Sequence, residues 1–491
     1  MNKKHLNNQG GPGGFTRRHF IKSTAALGAL ALLGPTSQVF GANDRMRIAV
    51  CGVRSRGNHL MRRFADEDNV EIAWIVDPDR RLLEQRSEEI KERSGKKPKT
   101  TTDLRKALED PDVDAIVVGS PNHWHSLMVI WAAQAGKHCF VEKPASHQVH
   151  EGRVALEAAG KYGVVVQHGT QRRSSEDTAG TIKAIHSGKY GKLAISHCIV
   201  QRHRNHIGHE PVSEPPDWLD WDLWRGPAVI DEFHRNLVHY NWHWFWATGN
   251  GEVNNQGTHQ LDVAYWALDP EMHSRHPMKI TALGGRFGWD DQAETPNALF
   301  GMAEYPNGQK IVMSCGNGDY EGFRRQVENR FYFEDGGRIV GNEYISPDGE
   351  KSPVEAEPSG ITGGGHVGSF LRACRAGDPG MANGNMQDAH YSCVVGHLFN
   401  IAYRIGKEVP FNAKAGRFGD DSKTADLFLD FHERVRDGWA LPEDEEKYLV
   451  GPSLSFDSDS ETFAGEHAGE ANPLLRDPRR EEFEIPEPDR V

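Results

Sequence analysis

A chain of 491 residues exceeds what one hydrophobic core organises, so at least two folded units are expected, and a hydrophobic share of 37% is ample for both. Seventy acidic against 57 basic residues leave a formal charge of −13, which argues against nucleic acid and anionic membrane surfaces as partners and for a small molecule. Six cysteines scattered singly, without a CxxC pair, exclude a disulfide scaffold and a thiolate zinc site, and read as packing residues.

The chain opens on a leader. Thr16-Arg17-Arg18-His19-Phe20-Ile21-Lys22 precedes the apolar run Ala25 to Leu33 and the small residues Gly41 and Ala42, the order of a secretory signal with paired arginines. The run is far shorter than the ~20 residues that span a bilayer, and no other segment reads as a span. Residues 1–42 are therefore a twin-arginine signal peptide. They imply the twin-arginine (Tat) export machinery as a partner and a periplasmic or otherwise exported location.

From Met46 the pattern is strand, glycine turn, helix. Ile48 to Cys51 is apolar, Gly52-Val53-Arg54-Ser55-Arg56-Gly57 follows, and Asn58 to Ala65 is helical. Glycines there allow a tight turn and close approach of backbone to a pyrophosphate at a helix N-terminus. Arg54 replaces the middle glycine, so alone the motif is as readily a tight turn. A second strand, Val70 to Val76, ends in Asp77, placed to receive ribose hydroxyls and favouring NAD over NADP. Arg80 and Arg81 are the counter-signal, since arginines there can hold a 2′-phosphate. The alternation continues through helix 103–109, strand 115–119, helix 123–135 and strand 138–141. Parallel strand ends then present Ser120-Pro121-Asn122-His123-Trp124-His125 and Glu142-Lys143-Pro144 to one crevice.

Helix 148–162 and strand 164–167 close this unit, and Gly169-Thr170-Gln171-Arg172-Arg173 leads out of it, with Gln171 and Arg172 as candidate ligands. Strands at 192–201, 279–287, 298–305, 310–315 and 330–333, with turns such as Asn307-Gly308, predict a mostly antiparallel sheet. The aromatic run His239 to Trp246 offers Trp242 and His243 as lining for a sugar, while half of such a run faces a core or an interface. His203, His206 and His209 have metal-like spacing, but a charged gating loop is the reading adopted and no metal is assigned. Helix 387–403 follows, and after Pro442 the chain is acidic and polar, a tail or wrap-around arm. The domains expected are 43–168 for NAD(P) binding, 169–445 for substrate and oligomerisation, and 446–491 as the tail.

The Ser-Pro-Asn-His-Trp-His and Glu-Lys-Pro turns, in that order and separation, resemble the glucose–fructose oxidoreductase, inositol dehydrogenase and MocA (Gfo/Idh/MocA) family over Met46 to about Pro442. The resemblance implies an α/β fold, a Rossmann doubly wound parallel sheet followed by an α+β domain. It implies Lys143 in catalysis, with Ser120, Asn122 and His125 along the cofactor beside Gly52, Arg54, Ser55, Gly57, Asp77, Glu142 and Gln171. The family carries an aspartate and a histidine four apart on one helix; here His259 matches the histidine, and Asn255, which cannot act as a base, stands at the aspartate. Arg172, Trp242, His243 and Asn255 are left for substrate.

The resulting expectation is hydride transfer between a nicotinamide, NAD with NADP as the alternative, and a sugar or polyol. Lys143 exchanges the hydroxyl proton and His259 orients that hydroxyl. Free cofactor is scarce outside the cytoplasm, which argues for tight retention. The family further implies a homo-oligomer, dimer or tetramer. The alternative is a redox-neutral, NAD-dependent glycoside hydrolase or epimerase of the same fold; in such relatives the lysine is replaced, whereas Lys143 is present. A non-catalytic sensor or scaffold is a third reading, opposed by the intact Lys143 and His259.

Overall fold

The computed structural model describes residues 45–416, 418 and 421–491; the leader lies outside the described residues. Six strands, β1 (Met46–Cys51), β2 (Val70–Val76), β3 (Lys99–Thr101), β4 (Ala115–Val118), β5 (His138–Val141) and β6 (Val166–His168), form an all-parallel sheet in the order β3-β2-β1-β4-β5-β6. β1 shows why the sequence folds this way. Ile48 and Val50 enter one core while Ala49 and Cys51 enter another, so both faces of the strand need a helical cover.

One face is covered by α1 (Arg56–Ala65) and α2 (Arg80–Ser94), through Leu60, Met61, Phe64 and Ile90. The other is covered by α3 (Leu104–Leu108), α4 (Asn122–Gln134) and α5 (Val149–Tyr162), through Leu104, Leu127, Val129, Val154 and Ala158. The six cysteines are free and buried.

After α6 (Glu176–His186), a larger sheet begins with β7 (Leu193–His203). A short ribbon, β8 (Val212–Ser213) and β9 (Phe233–His234), flanks α7 (Trp221–Arg225); α8 (Gly251–Asn254) and α9 (Gly257–Ala267) follow. The sheet then gains β10 (Lys279–Gly285), β11 (Ala298–Glu304), β12 (Lys310–Gly318), β13 (Gln326–Phe333), β14 (Arg338–Val340), β15 (Glu343–Ile345) and β16 (Lys351–Pro353). Its pairings are antiparallel except β12 with β7. Helix α9 and the later α11 (Met386–Arg404) cover one face, burying Leu261, Val394 and Leu398 against Val200, Leu299 and Met313. α12 (Ser422–Trp439) packs Leu427, Phe428 and Phe431 on the other.

Two segments depart from the expected boundaries. α10 (Gly365–Ala376) returns to the first sheet, where Phe370 meets Phe64 and Phe140 at ring distances of 5.9 and 5.8 Å. The acidic end is an arm, not a detached tail. β17 (Lys407–Pro410) and β18 (Lys447–Val450) pair, β18 and β19 (Leu454–Asp457) both pair with β10, and β19 turns into β20 (Thr462–Ala464). Its few apolar residues suffice because they join existing cores: Phe456 and Phe463 in the second unit, Phe483, Ile485 and Val491 in the first. Among the described residues no helix is long and apolar enough to cross a membrane.

Candidate active site

At the carboxyl edge of the parallel sheet a cleft of about 410 Å³ opens between the two units. Its adenosine end is built locally. Gly52 takes φ +75°, a region costly for residues with a Cβ, and Gly57 sits so close that a Cβ there would lie 1.6 Å from the Gly52 carbonyl oxygen. The turn thereby delivers the α1 N-terminus to the cleft, and Ser55, its N-cap, makes no side-chain capping bond, so N–H groups remain for a ligand. Gly52, Arg54 and Ser55 line the cleft; Gly57 is a packing glycine behind it.

Asp77 lies at the end of β2, buried, accepting hydrogen bonds from the Val53 N–H at 2.7 Å and the Asp79 N–H at 2.9 Å. Burial pushes its carboxyl up to about 6, and the two N–H bonds pull it partly back. The two arginines placed as candidates for a 2′-phosphate, Arg80 and Arg81, are engaged elsewhere. Arg81 pairs with Asp79 at 2.7 Å and lies 3.4 Å over the Trp218 ring, and Arg80 donates to the Asp217 carbonyl and to Asp220.

Two turns meet in mid-cleft. His125 joins them, with Nδ1 2.6 Å from the Pro144 carbonyl oxygen and Nε2 2.8 Å from that of Ser120; burial lowers its pKa. Ser120 faces the cleft, as does Asn122, whose Nδ2 donates to Asn250 Oδ1 at 3.0 Å and ties α4 to the loop before α8. Glu142 is taken by Arg56 at 2.6 Å, so its carboxylate braces the glycine turn against the Glu-Lys-Pro turn.

Lys143 reaches across to the second unit. Its Nζ donates to the Asn255 backbone carbonyl at 2.9 Å and to Asn255 Oδ1 at 3.0 Å. Burial lowers its pKa, with Arg56 and Arg204 adding to the effect while Glu142 and Glu252 oppose it. Asn255 Nδ2 is buried with no partner among the described residues, a donor facing a cleft where a hydroxyl would satisfy it. His259 lines the same space, its pKa held well below the usual histidine range by burial and then by Lys143.

The expected single helix carrying Asn255 and His259 is broken. α8 ends at Asn254, Asn255 has φ −80° and ψ −83°, and α9 starts at Gly257. Asn255 is thus a hinge between two helices, with its backbone carbonyl as well as its side chain free to meet Lys143.

On the substrate side Trp242 and His243 stack at 3.6 Å and both line the cleft. His243 points Nδ1 at the Tyr240 carbonyl oxygen, 2.6 Å away, and burial takes its pKa down to about 3. Gln171 lines the cleft while donating to the Gly169 carbonyl. Arg172 does not line it: the residue is exposed, and its charge reaches His259 only as a weak influence. Its neighbour Arg173 is the buried one, committed to Asp262 at 2.9 Å and Asp388 at 2.9 Å.

Several residues of the site have no counterpart in the sequence expectations. Arg56 lies inside the glycine motif, where spacing does not point to its partner Glu142. His239 and Tyr240 line the cleft from the aromatic run, where alternation alone does not say which side chains face inward. Glu252 is fully buried and bound by Arg204 Nε at 2.8 Å and Nη2 at 2.9 Å; only the fold brings these two within charge range of Lys143.

His203, His206 and His209 are exposed and do not converge. The one group of His, Cys, Asp or Glu among the described residues with ligand atoms within 4.8 Å of one another is His276, His390 and Glu461. Arg153 donates to the same Glu461 oxygen that both histidines approach at 2.7 Å, so that carboxylate is already neutralised and pins the arm to α5 and α11.

Comparison with known proteins bears on the family and the fold. Residues 46–170 match the model of an oxidoreductase family with an NAD-binding Rossmann fold, 201–441 its C-terminal alpha/beta domain, and 14–34 a twin-arginine translocation signal sequence. The chain belongs to the Gfo/Idh/MocA oxidoreductase family. Its leader marks it for export by the twin-arginine pathway.

Among curated proteins it is similar to scyllo-inositol 2-dehydrogenase (NAD(+)) of Bacillus subtilis, 32% identical over 149 residues, covering 30% of this chain and 42% of that one. It is also similar to a glycosyl hydrolase family 109 protein of Shewanella pealeana, 31% identical over 159 residues, 28% of this chain and 35% of that one. The chain thus spans less than half the length of these relatives. Among solved structures, the WlbA dehydrogenase of Bordetella pertussis, in complex with NADH and UDP-GlcNAcA, superposes with TM-score 0.52 at 16% identity over 74% of this chain and 97% of that one, a likeness of fold.

Proposed function

We propose that this family member is an exported oxidoreductase that moves a hydride between a nicotinamide and a carbinol carbon of a sugar or polyol. The observation that carries the reading is Lys143: a buried amine with depressed pKa, held by Asn255 next to His259, at the far end of a cleft that starts at Asp77. The residues present fit the cofactor. Uncapped N–H groups of α1 suit a pyrophosphate, and the Asp77 carboxylate suits ribose hydroxyls. NAD is favoured over NADP because Arg80 and Arg81 are already engaged. When bound, the nicotinamide supplies the hydride acceptor or donor.

The chain's own residues do the rest. In the oxidising direction neutral Lys143 Nζ takes the hydroxyl proton, and the Asn255 oxygens orient its remaining N–H bonds. Asn255 Nδ2 and His259 hold the substrate hydroxyls, and the Trp242 and His243 rings exclude water from one side. The reading includes tight retention of the nucleotide, because free cofactor is scarce outside the cytoplasm, a periplasmic location in a bacterium with two membranes, and assembly as a homo-oligomer.

The test is to denature exported protein, identify the nucleotide released, and screen sugars and polyols for reduction of the bound cofactor at its ultraviolet band. Protein that carries no nucleotide and binds none by calorimetry overturns the reading. The similarity to a glycosyl hydrolase family 109 protein favours a second reading, redox-neutral cleavage of a glycoside. It predicts aglycone release without net cofactor reduction.

A further inference from the structure

The end of β7 and the start of β13 carry more positive charge than their surroundings pair. β7 alternates so that Cys198 and Val200 face the core shared with Val253 and Leu261 of α8 and α9, which puts Arg202 on that face at the end of the strand. Gln326 lies opposite Gln201, so the antiparallel register brings Arg325 beside Arg202 on the same face. Their mutual repulsion is felt: burial, Arg204 and Arg325 lower the Arg202 pKa. Arg204 is spoken for by Glu252 and the Tyr240 hydroxyl.

The guanidinium groups of Arg202, Arg324 and Arg325, by contrast, have neither a hydrogen bond nor an ion pair among the described residues, in a chain that has an excess of acidic groups. The acids of the preceding loop do not neutralise them: Asp319 accepts from the Trp289 indole at 2.9 Å, and exposed Glu321 makes no ion pair with them. Next to this patch a second cavity of about 430 Å³ is walled by His203, Arg204, Asn205, His206 and Trp244. Tyr240 lines both this cavity and the cofactor cleft. Arg202 and Arg325 line neither space themselves, but they lie within charge range of one another and Arg202 within that of Arg204, which walls the second cavity; unpaired guanidinium groups behind an aromatic, hydrogen-bonding wall suit a sugar bearing a negative charge.

We propose that the substrate of this cleft is an anionic sugar, a uronate or a sulfate or phosphate ester, whose charged group is received by Arg202 and Arg325. The inference rests on the dehydrogenase reading and names its substrate class. The experiment compares wild type with the double variant Arg202→Gln, Arg325→Gln, each holding its nucleotide. The probes are glucose and galactose, their uronates, and sulfated and phosphorylated glucose, with cofactor reduction and calorimetric binding as readouts.

The expected result is that at least one anionic sugar outperforms its neutral parent in kcat/KM or affinity by about tenfold to a hundredfold, the range for hydrogen bonds to charged groups. The double variant should lose most of that ratio, and rising ionic strength should erode it in wild type. Which anion is preferred separates carboxylate from ester. A neutral hexose that matches or beats its anionic counterparts, a preference unchanged in the double variant, or no binding of any anion overturns the inference while nucleotide binding still stands. Protein without nucleotide would overturn the underlying reading instead.

Discussion

The two ends of the cleft are built in opposite ways. The adenosine end is assembled from neighbours in sequence: Gly52, Ser55 and Asp77 occupy successive turns of one βαβ unit, and the Asp77 carboxylate accepts from the backbone N–H groups of Val53 and Asp79. The chemical end is assembled from distant segments, with Lys143 from the first sheet, Asn255 and His259 from a broken helix pair, and Tyr240 to His243 from a loop. The first end is therefore expected to bind regardless of what happens at the second, whereas the second loses function piece by piece.

The strongest test of that separation is Lys143→Met, which keeps the apolar stem and removes the exchangeable proton. Turnover should fall by about 10²–10⁴-fold or more while nucleotide content stays near wild type, checked by steady-state rates and by nucleotide released on denaturation. Near-wild-type rates would place the proton transfer elsewhere. His259→Ala should lose less, and the double variant should lose less than the product of the two single losses, since both groups serve one hydroxyl. At the other end, Asp77→Ala should weaken NAD by about tenfold to a hundredfold and NADP less, measured by calorimetry. Equal weakening of both would remove Asp77 as the discriminator.

This contrast also explains how much was legible in the sequence. Ile48 to Cys51, the glycine turn and Asp77 announce themselves because their physics is local, a period of two followed by a helix start. The break at Asn255 is invisible to spacing, since positions four apart look the same whether or not a hinge intervenes. Nothing in Gln171-Arg172-Arg173 tells which arginine Asp262 and Asp388 will claim. The sequence leaves tail and arm open for a related reason. Phe456, Phe463 and Phe483 are too sparse for a core of their own, and only tertiary contact shows that they complete two others. Glu252 and Arg204 are the extreme case, a buried pair whose bearing on Lys143 exists only once β7 and α8 are packed.

The smallest expected effect is the most specific. Asn255→Asp restores the carboxylate that the family usually has, at an atom 3.0 Å from Lys143 Nζ. In wild type, burial lowers the lysine pKa, so its neutral, proton-accepting form is reached at lower pH than for a solvated lysine. A negative charge at position 255 favours the ammonium form, which raises that pKa. The basic form is then reached only at higher pH. Oxidation measured at neutral pH should therefore slow by less than the lysine's removal does, with the rise of rate against pH displaced upward. The reverse reaction needs a proton donor and should retain its rate to higher pH than in wild type. A profile that does not move would mean either that Lys143 is not the titrating group or that Asn255 does not stand beside it in the working enzyme. The rate of Lys143→Met separates the two: a near-wild-type rate means that another group titrates, whereas a large loss leaves Lys143 in its role and puts Asn255 away from it.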